Sequence, residues 1–266
     1  MPYIDRDGVK LYYEVHGSSG TPLILTHGYS STSEMWQGQV DILAKEGYQV
    51  IVWDMRGHGK SDYPDDQSLY SEEHTVADIA AILSRVNDAS TPAIVGGLSL
   101  GGYMSIAFYR VHPDRTKALL IIDTGPGFKN DAAREVWNKT SQETGARFDR
   151  DGLAPTQSMS PERSQVTHRN ANGLAMAARG MLAQRNSAVI ESLPLVRVPS
   201  LVVVGAEDTP FLVASEYMVK KIPGARKAVI PGAGHAANID NPQEFNDAIS
   251  AFLRLISGAS GGKAKL

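Results

Sequence analysis

Ala93-Ile94-Val95-Gly96-Gly97-Leu98-Ser99-Leu100-Gly101-Gly102-Tyr103 is the stretch on which the fold of this 266-residue chain turns. A short β-branched run ends in glycines, passes one serine, and opens into Tyr103 to Tyr109, where Met104, Ile106, Ala107 and Phe108 give a helix-compatible apolar segment. That is a strand, a sharp turn and a helix, with Ser99 at the tip. A serine forced onto such a turn takes strained backbone angles, and residues two positions away must be small to avoid it. Gly97 and Gly101 meet that requirement. The pattern G-x-S-x-G alone is short: at this chain's glycine and serine frequencies about 0.2 matches arise by chance. Gly258-Ala259-Ser260-Gly261-Gly262 also fits it, but sits in a Gly/Ser/Ala/Lys tail, Ser257 to Leu266, that reads as disordered linker.

Working outward, the same unit recurs. Leu23-Ile24-Leu25-Thr26, Val50-Ile51-Val52-Trp53 and Ala118-Leu119-Leu120-Ile121-Ile122 are further apolar runs, each separated by segments of helical period. Ser71 to Val86 is one such segment: Val76, Ile79, Ala80, Leu83 and Val86 share a face behind an N-capping serine. Pro2 to Ile4 and Lys10 to Val15 read as a hairpin turned by Asp7-Gly8. Pro126 to Val198 breaks the rhythm, with residues 131–145 and 162–192 helix-permissive and Met/Ala-rich. After Pro199 the alternation resumes with Leu201 to Gly205, a helix from Phe211 to Lys221, a strand Ala228 to Ile230 and a helix from Pro242 to Ile256. The pattern predicts an α/β domain with a mostly parallel sheet, built from residues 1–125 and 199–256, with a helical insertion over 126–198.

Composition narrows the function. With 26 Lys+Arg against 29 Asp+Glu, the net charge of -3 offers no basic stripe for a nucleic-acid backbone or an anionic membrane. The absence of cysteine removes disulfides, thiolate metal sites and a cysteine nucleophile. The first residues carry acidic groups where a signal peptide is basic, and no run reaches the ~20 apolar residues of a membrane span. A soluble cytoplasmic protein acting on a small molecule is the expectation.

A nucleophilic serine needs a base, and the base a carboxylate to fix its tautomer. Of seven histidines, His235, in Pro231-Gly232-Ala233-Gly234-His235, lies in a glycine-rich loop after a late strand, where it reaches the carboxyl edge of the sheet. His74 and His112 fall on helical segments. Asp208, in Gly205-Ala206-Glu207-Asp208 just after Leu201 to Val204, is the best-placed acid, with adjacent Glu207 and strand-terminal Asp123 as competitors. Oxyanion donors in this geometry are the N–H after the serine, Leu100, and one in the first crossover loop, Tyr29 after His27-Gly28. Trp137, Phe148, Met159, Met176 and Met181, with Tyr29 and Phe211, are candidates to line an apolar pocket. No metal or cofactor is called for: there is no His-Glu-x-x-His run and no dinucleotide fingerprint.

His27-Gly28-Tyr29, Asp54-Met55-Arg56-Gly57-His58-Gly59-Lys60-Ser61, Gly97-Leu98-Ser99-Leu100-Gly101-Gly102, Gly205-Ala206-Glu207-Asp208 and Gly232-Ala233-Gly234-His235, in this order, resemble an α/β-hydrolase. The superfamily holds small esterases, enol-lactonases, carbon–carbon bond hydrolases and cofactor-free perhydrolases. The resemblance implies Ser99 as nucleophile, His235 as base and Asp208 as acid, and makes 126–198 a lid. It speaks against haloalkane dehalogenases and epoxide hydrolases, which place aspartate where Ser99 stands. Hydrolysis of an ester or lactone is the leading expectation. Cleavage of a vinylogous diketone, with Arg163, Arg169 or Arg179 holding its carboxylate, is the runner-up, and a ligand receptor that keeps the triad is a third.

Overall fold

The computed structural model describes residues 2–88 and 90–260. Its strands are β1 (Tyr3–Arg6), β2 (Val9–His16), β3 (Thr21–Thr26), β4 (Tyr48–Trp53), β5 (Ala93–Leu98), β6 (Thr116–Ile122), β7 (Ser200–Gly205) and β8 (Arg226–Ile230). They form one eight-stranded sheet in the order β1-β2-β4-β3-β5-β6-β7-β8. The opening hairpin is antiparallel, as is the β2/β4 pair, and every pair from β4 to β8 is parallel. Asp7 and Gly8 both take positive φ in the hairpin turn, the geometry that matches the twist of the flanking strands. The α/β architecture with a mostly parallel sheet is thus present.

The longer helices are α1 (Gln37–Lys45), α2 (Glu72–Val86), α3 (Leu100–Val111), α4 (Asp131–Asp151), α8 (Thr209–Lys221) and α10 (Pro242–Ser260). Short ones are α5 (Pro161–Ser164), α6 (Ala171–Ala177), α7 (Ala188–Ser192) and α9 (Ala237–Asp240). Ser71 caps α2 by accepting from the His74 N–H, as its sequence position predicts. Strand side chains alternate between two cores. Ile24, Ile51, Val95, Leu119, Ile121 and Val202 face one apolar cluster, while Leu23, Leu25, Val50, Val52, Leu120 and Val203 face the other. At ~1.5–3 kcal/mol for each buried aliphatic side chain, a slip of one residue would forfeit both faces, so the pattern fixes the register.

Two expectations need correction. The tail reads as disordered from Ser257 onward, yet α10 continues through Ser260. Ser257 Oγ donates to Leu253 O at 2.9 Å and lies 3.1 Å from Tyr48 Oη, which ties the end of the helix to the core. Residues 261–266, including the last two glycines of the second G-x-S-x-G match, lie outside the described residues. The stretch 162–192, expected to be broadly helical, is broken into short pieces. Asn170 caps α6, one π-helical turn, Ala178–Leu182, follows it, and the chain then turns before α7. Gly180 explains part of this: a Cβ there would lie 1.8 Å from Tyr70 O, so the insertion is pressed against the core backbone.

Sheet order decides where a ligand can sit. The chain runs from β3 to β4 on one side and then crosses back to β5 on the other. Loops leaving the carboxyl ends of β3 and β5 therefore diverge and leave a crevice. Tyr29 follows the first and Ser99 the second.

Candidate active site

Ser99 joins β5 to α3 with φ 56° and ψ -116°, a left-handed conformation that a β-substituted residue adopts only under constraint. The constraint is visible on both sides. The Ser99 N–H donates to Ile122 O at 2.9 Å, and its carbonyl accepts from Tyr103 N at 3.0 Å. A Cβ on Gly97 would meet Gly101 C at 2.5 Å, and one on Gly101 would meet Thr26 O at 2.1 Å, so the turn closes only with glycine at both. Leu100 opens α3, and the first-turn N–H groups of a helix have no partner within it and favour a negative charge.

The first crossover loop lies against this turn: a Cβ on Gly28 would touch Leu98 Cδ2 at 3.3 Å and Ser99 Cβ at 3.5 Å. Three buried histidines hold that loop. His27 pairs Nδ1 with Gly28 O at 2.7 Å and accepts from Met55 N at 3.0 Å. His58 accepts from Ser30 N at 3.1 Å, and His168 Nε2 donates to Ser30 O at 3.1 Å. Each ring accepts a backbone N–H on one nitrogen, Gly59 N in the case of His168, which requires the neutral form. Burial pushes all three down, His27 to about 4, with Asp54 opposing the shift there. In sequence Arg56-Gly57-His58-Gly59 reads only as a turn signature, and nothing marks His168; no sequence signal says that these rings converge on Ser30.

The acid and base candidates meet across the end of the sheet. His235 Nδ1 lies 2.9 Å from Asp208 Oδ2, with the carboxylate side chain 4% exposed and the imidazole 23%. Asp208 thus takes the position for which Glu207 competes; Glu207 is exposed. Gly205 lets the two loops touch, since a Cβ there would sit 2.1 Å from Gly234 O. Phe211, at the start of α8, stacks on His235 with centroids 5.0 Å apart and an interplanar angle of 26°. Asp123, the third carboxyl considered, points elsewhere: it accepts from Gly205 N at 2.7 Å and Ala237 N at 3.2 Å.

A cavity of about 180 Å³ opens on Ser99 and Leu100. Trp137, Met181 and Phe211 line it, as the sequence suggests, together with Thr124, Phe128, Leu182 and Gln184. The π-helical turn is what brings Met181 and Leu182 to the cavity, and Trp137 Nε1 donates to Leu182 O at 2.7 Å. Tyr29, Phe148, Met159 and Met176 do not line it; Tyr29 is buried and its hydroxyl donates to Leu174 O at 2.8 Å. Phe148 is core, edge-on to Tyr29 with centroids 6.2 Å apart. Met159 sits by Ser30 Oγ at 3.7 Å, and Met176 packs against the core while its carbonyl accepts from Gln67. The helical period that suggests them marks burial against neighbours rather than a cavity wall. Gln184 and Phe128 carry no such period because they flank irregular backbone; Gln184 Oε1 accepts from Phe128 N at 3.2 Å.

Among the described residues no charged side chain lines the cavity. Arg163 pairs with Glu162 at 3.3 Å, Arg169 lies 3.5 Å from Asp62, and Arg179 pairs with Asp149. Among the described residues no group of three or more His, Asp or Glu is arranged to hold a metal ion, and no helix is long and apolar enough to cross a membrane.

Comparison with known proteins bears on the fold and the family. The chain is 26% identical over 265 residues to 3-oxoadipate enol-lactonase 1 of Acinetobacter baylyi, covering 95% of this chain and 96% of that protein. It is 26% identical over 269 residues to the 2-hydroxy-6-oxo-6-(2'-aminophenyl)hexa-2,4-dienoic acid hydrolase of Metapseudomonas resinovorans, with 94% and 90% covered. A thermophilic esterase from Thermogutta terrifontis superposes with a TM-score of 0.81 at 28% identity, covering 96% of this chain and 97% of that one. The model of the alpha/beta hydrolase fold matches residues 21–192, which hold the strained serine turn and the loop beside it, and with the sheet order above this places the chain in the α/β-hydrolase family.

Proposed function

We propose that this protein is a serine hydrolase of carboxylic esters or lactones whose acyl part is uncharged and largely apolar. The observation that carries the reading is Phe211: it lines the cavity on which the strained Ser99 turn opens, and it stacks on the imidazole of His235, which is hydrogen-bonded to Asp208.

In this mechanism Ser99 Oγ attacks the acyl carbon while its proton passes to His235 Nε2. Asp208 keeps the Nδ1–H oriented and stabilises the imidazolium. Negative charge on the carbonyl oxygen is met by the N–H groups of Leu100 and Tyr29, fixed before the reaction by the start of α3 and by the histidine-braced loop. The bond to the leaving alcohol breaks as Nε2 returns the proton to it; in a lactone the alcohol stays tethered. Water then repeats the sequence on the acyl-enzyme and restores Ser99.

The uncharged lining separates this reading from its rival. A buried carboxylate costs several kcal/mol unless paired, and the described lining offers it no cation. The lactonase and dienoic-acid hydrolase relatives are named for substrates that carry acid groups, so those reactions are the second reading. The test is a panel of p-nitrophenyl esters of rising chain length, γ- and δ-lactones, and a 2-hydroxy-6-oxo-dienoate, with and without excess EDTA. Neutral esters or lactones should be turned over at least ~10²-fold better by kcat/KM than the dienoate, equally in chelator. Preference for the dienoate, or activity lost to EDTA and restored by zinc, would replace this reading.

A further inference from the structure

Among the buried carboxyls without a part in that mechanism, one bridges the two loops that carry the acid and the base. Asp123 follows β6, is fully buried, and takes φ 44°, a conformation that non-glycine residues rarely hold. Its own N–H donates to Val203 O at 2.9 Å. Oδ1 accepts from Gly205 N at 2.7 Å and Oδ2 from Ala237 N at 3.2 Å. Gly205 lies three residues before Asp208, and Ala237 two residues after His235. One side chain therefore ties together the loop that presents the acid and the loop that presents the base. The other flank of His235 is tied in the same manner, by Asp240 Oδ2 accepting from Gly234 N at 2.9 Å.

Holding a carboxyl here is costly. Burial, reinforced by nearby Asp208, pushes it up to about 8 even though two backbone donors pull the other way. An apolar residue would avoid that cost but leave the buried N–H of Ala237 and of Gly205 without these acceptors. The geometry points to Asp123 as a positioning residue that sets the Asp208–His235 hydrogen bond by clamping both loops at the sheet edge. It touches neither substrate nor reacting atoms. Asparagine in its place keeps the shape but has one acceptor oxygen where two donors wait, and its NH2 group then faces an N–H. One of the two loops is released. A misplacement of about 1 Å in a reacting group costs up to ~10²-fold, and such a loss falls on the chemical step rather than on binding.

The clamp presupposes the triad reading above, so the experiment carries its own control. Steady-state kinetics on p-nitrophenyl butyrate compare wild type, Ser99→Ala, Asp123→Asn and Asp123→Ala, alongside thermal unfolding. Proton NMR follows the far-downfield signal of His235 Nδ1–H bonded to Asp208, and amide exchange in wild type follows Gly205 and Ala237. Asp123→Asn should lower kcat by about 10–100-fold with KM within about 3-fold. The downfield signal should be lost or shifted, and the two wild-type amides should exchange slowly. Folded variants with kcat within about twofold of wild type, or a downfield signal unchanged by either substitution, would overturn it. Should neither variant fold, the wild-type amides decide: exchange as fast as in an exposed loop means that no clamp exists. Activity surviving in Ser99→Ala would instead defeat the triad reading, leaving the NMR signal and the amides to judge the clamp separately.

Discussion

At the scale of single residues, Asp208 and Glu207 are neighbours of identical charge, and burial together with direction separates them. Asp208 is 5% exposed and bonded to His235, while Glu207 is exposed to solvent. The sequence expects alternation along an extended segment to separate the two, but the chain here is a turn, with Asp208 N–H donating to Gly205 O at 3.1 Å, and it is this turn that directs them apart. Asp208→Asn leaves the geometry close to native but presents an amide donor to Nδ1, forcing the wrong tautomer. It should cost ~10³-fold or more in kcat, whereas Glu207→Gln should stay within ~3-fold. Steady-state kinetics on the two purified variants checks this; a larger loss in Glu207→Gln would transfer the acid role.

At the scale of elements, the serine turn is legible because its requirements are steric and local. Glycines at 97 and 101 around a serine, behind a β-branched run and before an apolar helix, leave few other readings. The structure adds that a Cβ on Gly101 would come within 2.1 Å of Thr26 O and 2.8 Å of His27 O. Those atoms belong to strand β3 and its loop and cannot swing away. Gly101→Ala should therefore destabilise the fold by ~2–3 kcal/mol, read as a lower urea midpoint at unchanged m-value, an overpacking cost at the upper end of the usual range. A midpoint equal to wild type would mean that the turn is less tightly closed than described. The helical insertion is legible only as helical. Which of its apolar residues face the cavity depends on a π-helical turn and on Gly180 meeting Tyr70, and neither has a sequence period to betray it. Asp123 stands out in the sequence as a strand-terminal acid, but its partners, Gly205 and Ala237, are 82 and 114 residues distant. Contacts of that separation exist only once the sheet order is known.

At the scale of the whole molecule, the buried ionisable groups set how stability varies with pH. His27, His58 and His168 are held below the ordinary histidine value by burial, and the more exposed His74 and His112 are lowered as well. Below about pH 6.5 the unfolded chain binds protons that the folded one refuses, so their contribution, complete above that pH, is lost on acidification toward pH 4. Asp123 acts in the opposite sense. Its raised value stabilises the fold at low pH and loses that contribution as pH rises from about 4 to about 8. With three buried histidines against one carboxyl, stability should rise from pH 5 to a maximum between about pH 6 and 7 and then decline toward pH 8. A group that titrates one pH unit apart in the folded and unfolded chains contributes ~1.4 kcal/mol, so urea denaturation at pH 5.0, 6.5 and 8.0 resolves the curve. A monotonic rise through pH 8 would take Asp123 out of this balance, and greater stability at pH 5 than at pH 6.5 would take out the histidines.

The central claim, that a single activated serine carries a covalent step, is tested most directly by labelling the intact protein with a fluorophosphonate probe and locating the adduct by peptide mass spectrometry. A serine becomes this reactive only beside a base and an oxyanion site. One adduct is expected, on Ser99, with residual esterase activity below ~5% at full labelling, and none in Ser99→Ala. Labelling on Ser260 or another serine, or undiminished labelling of Ser99→Ala, would contradict it.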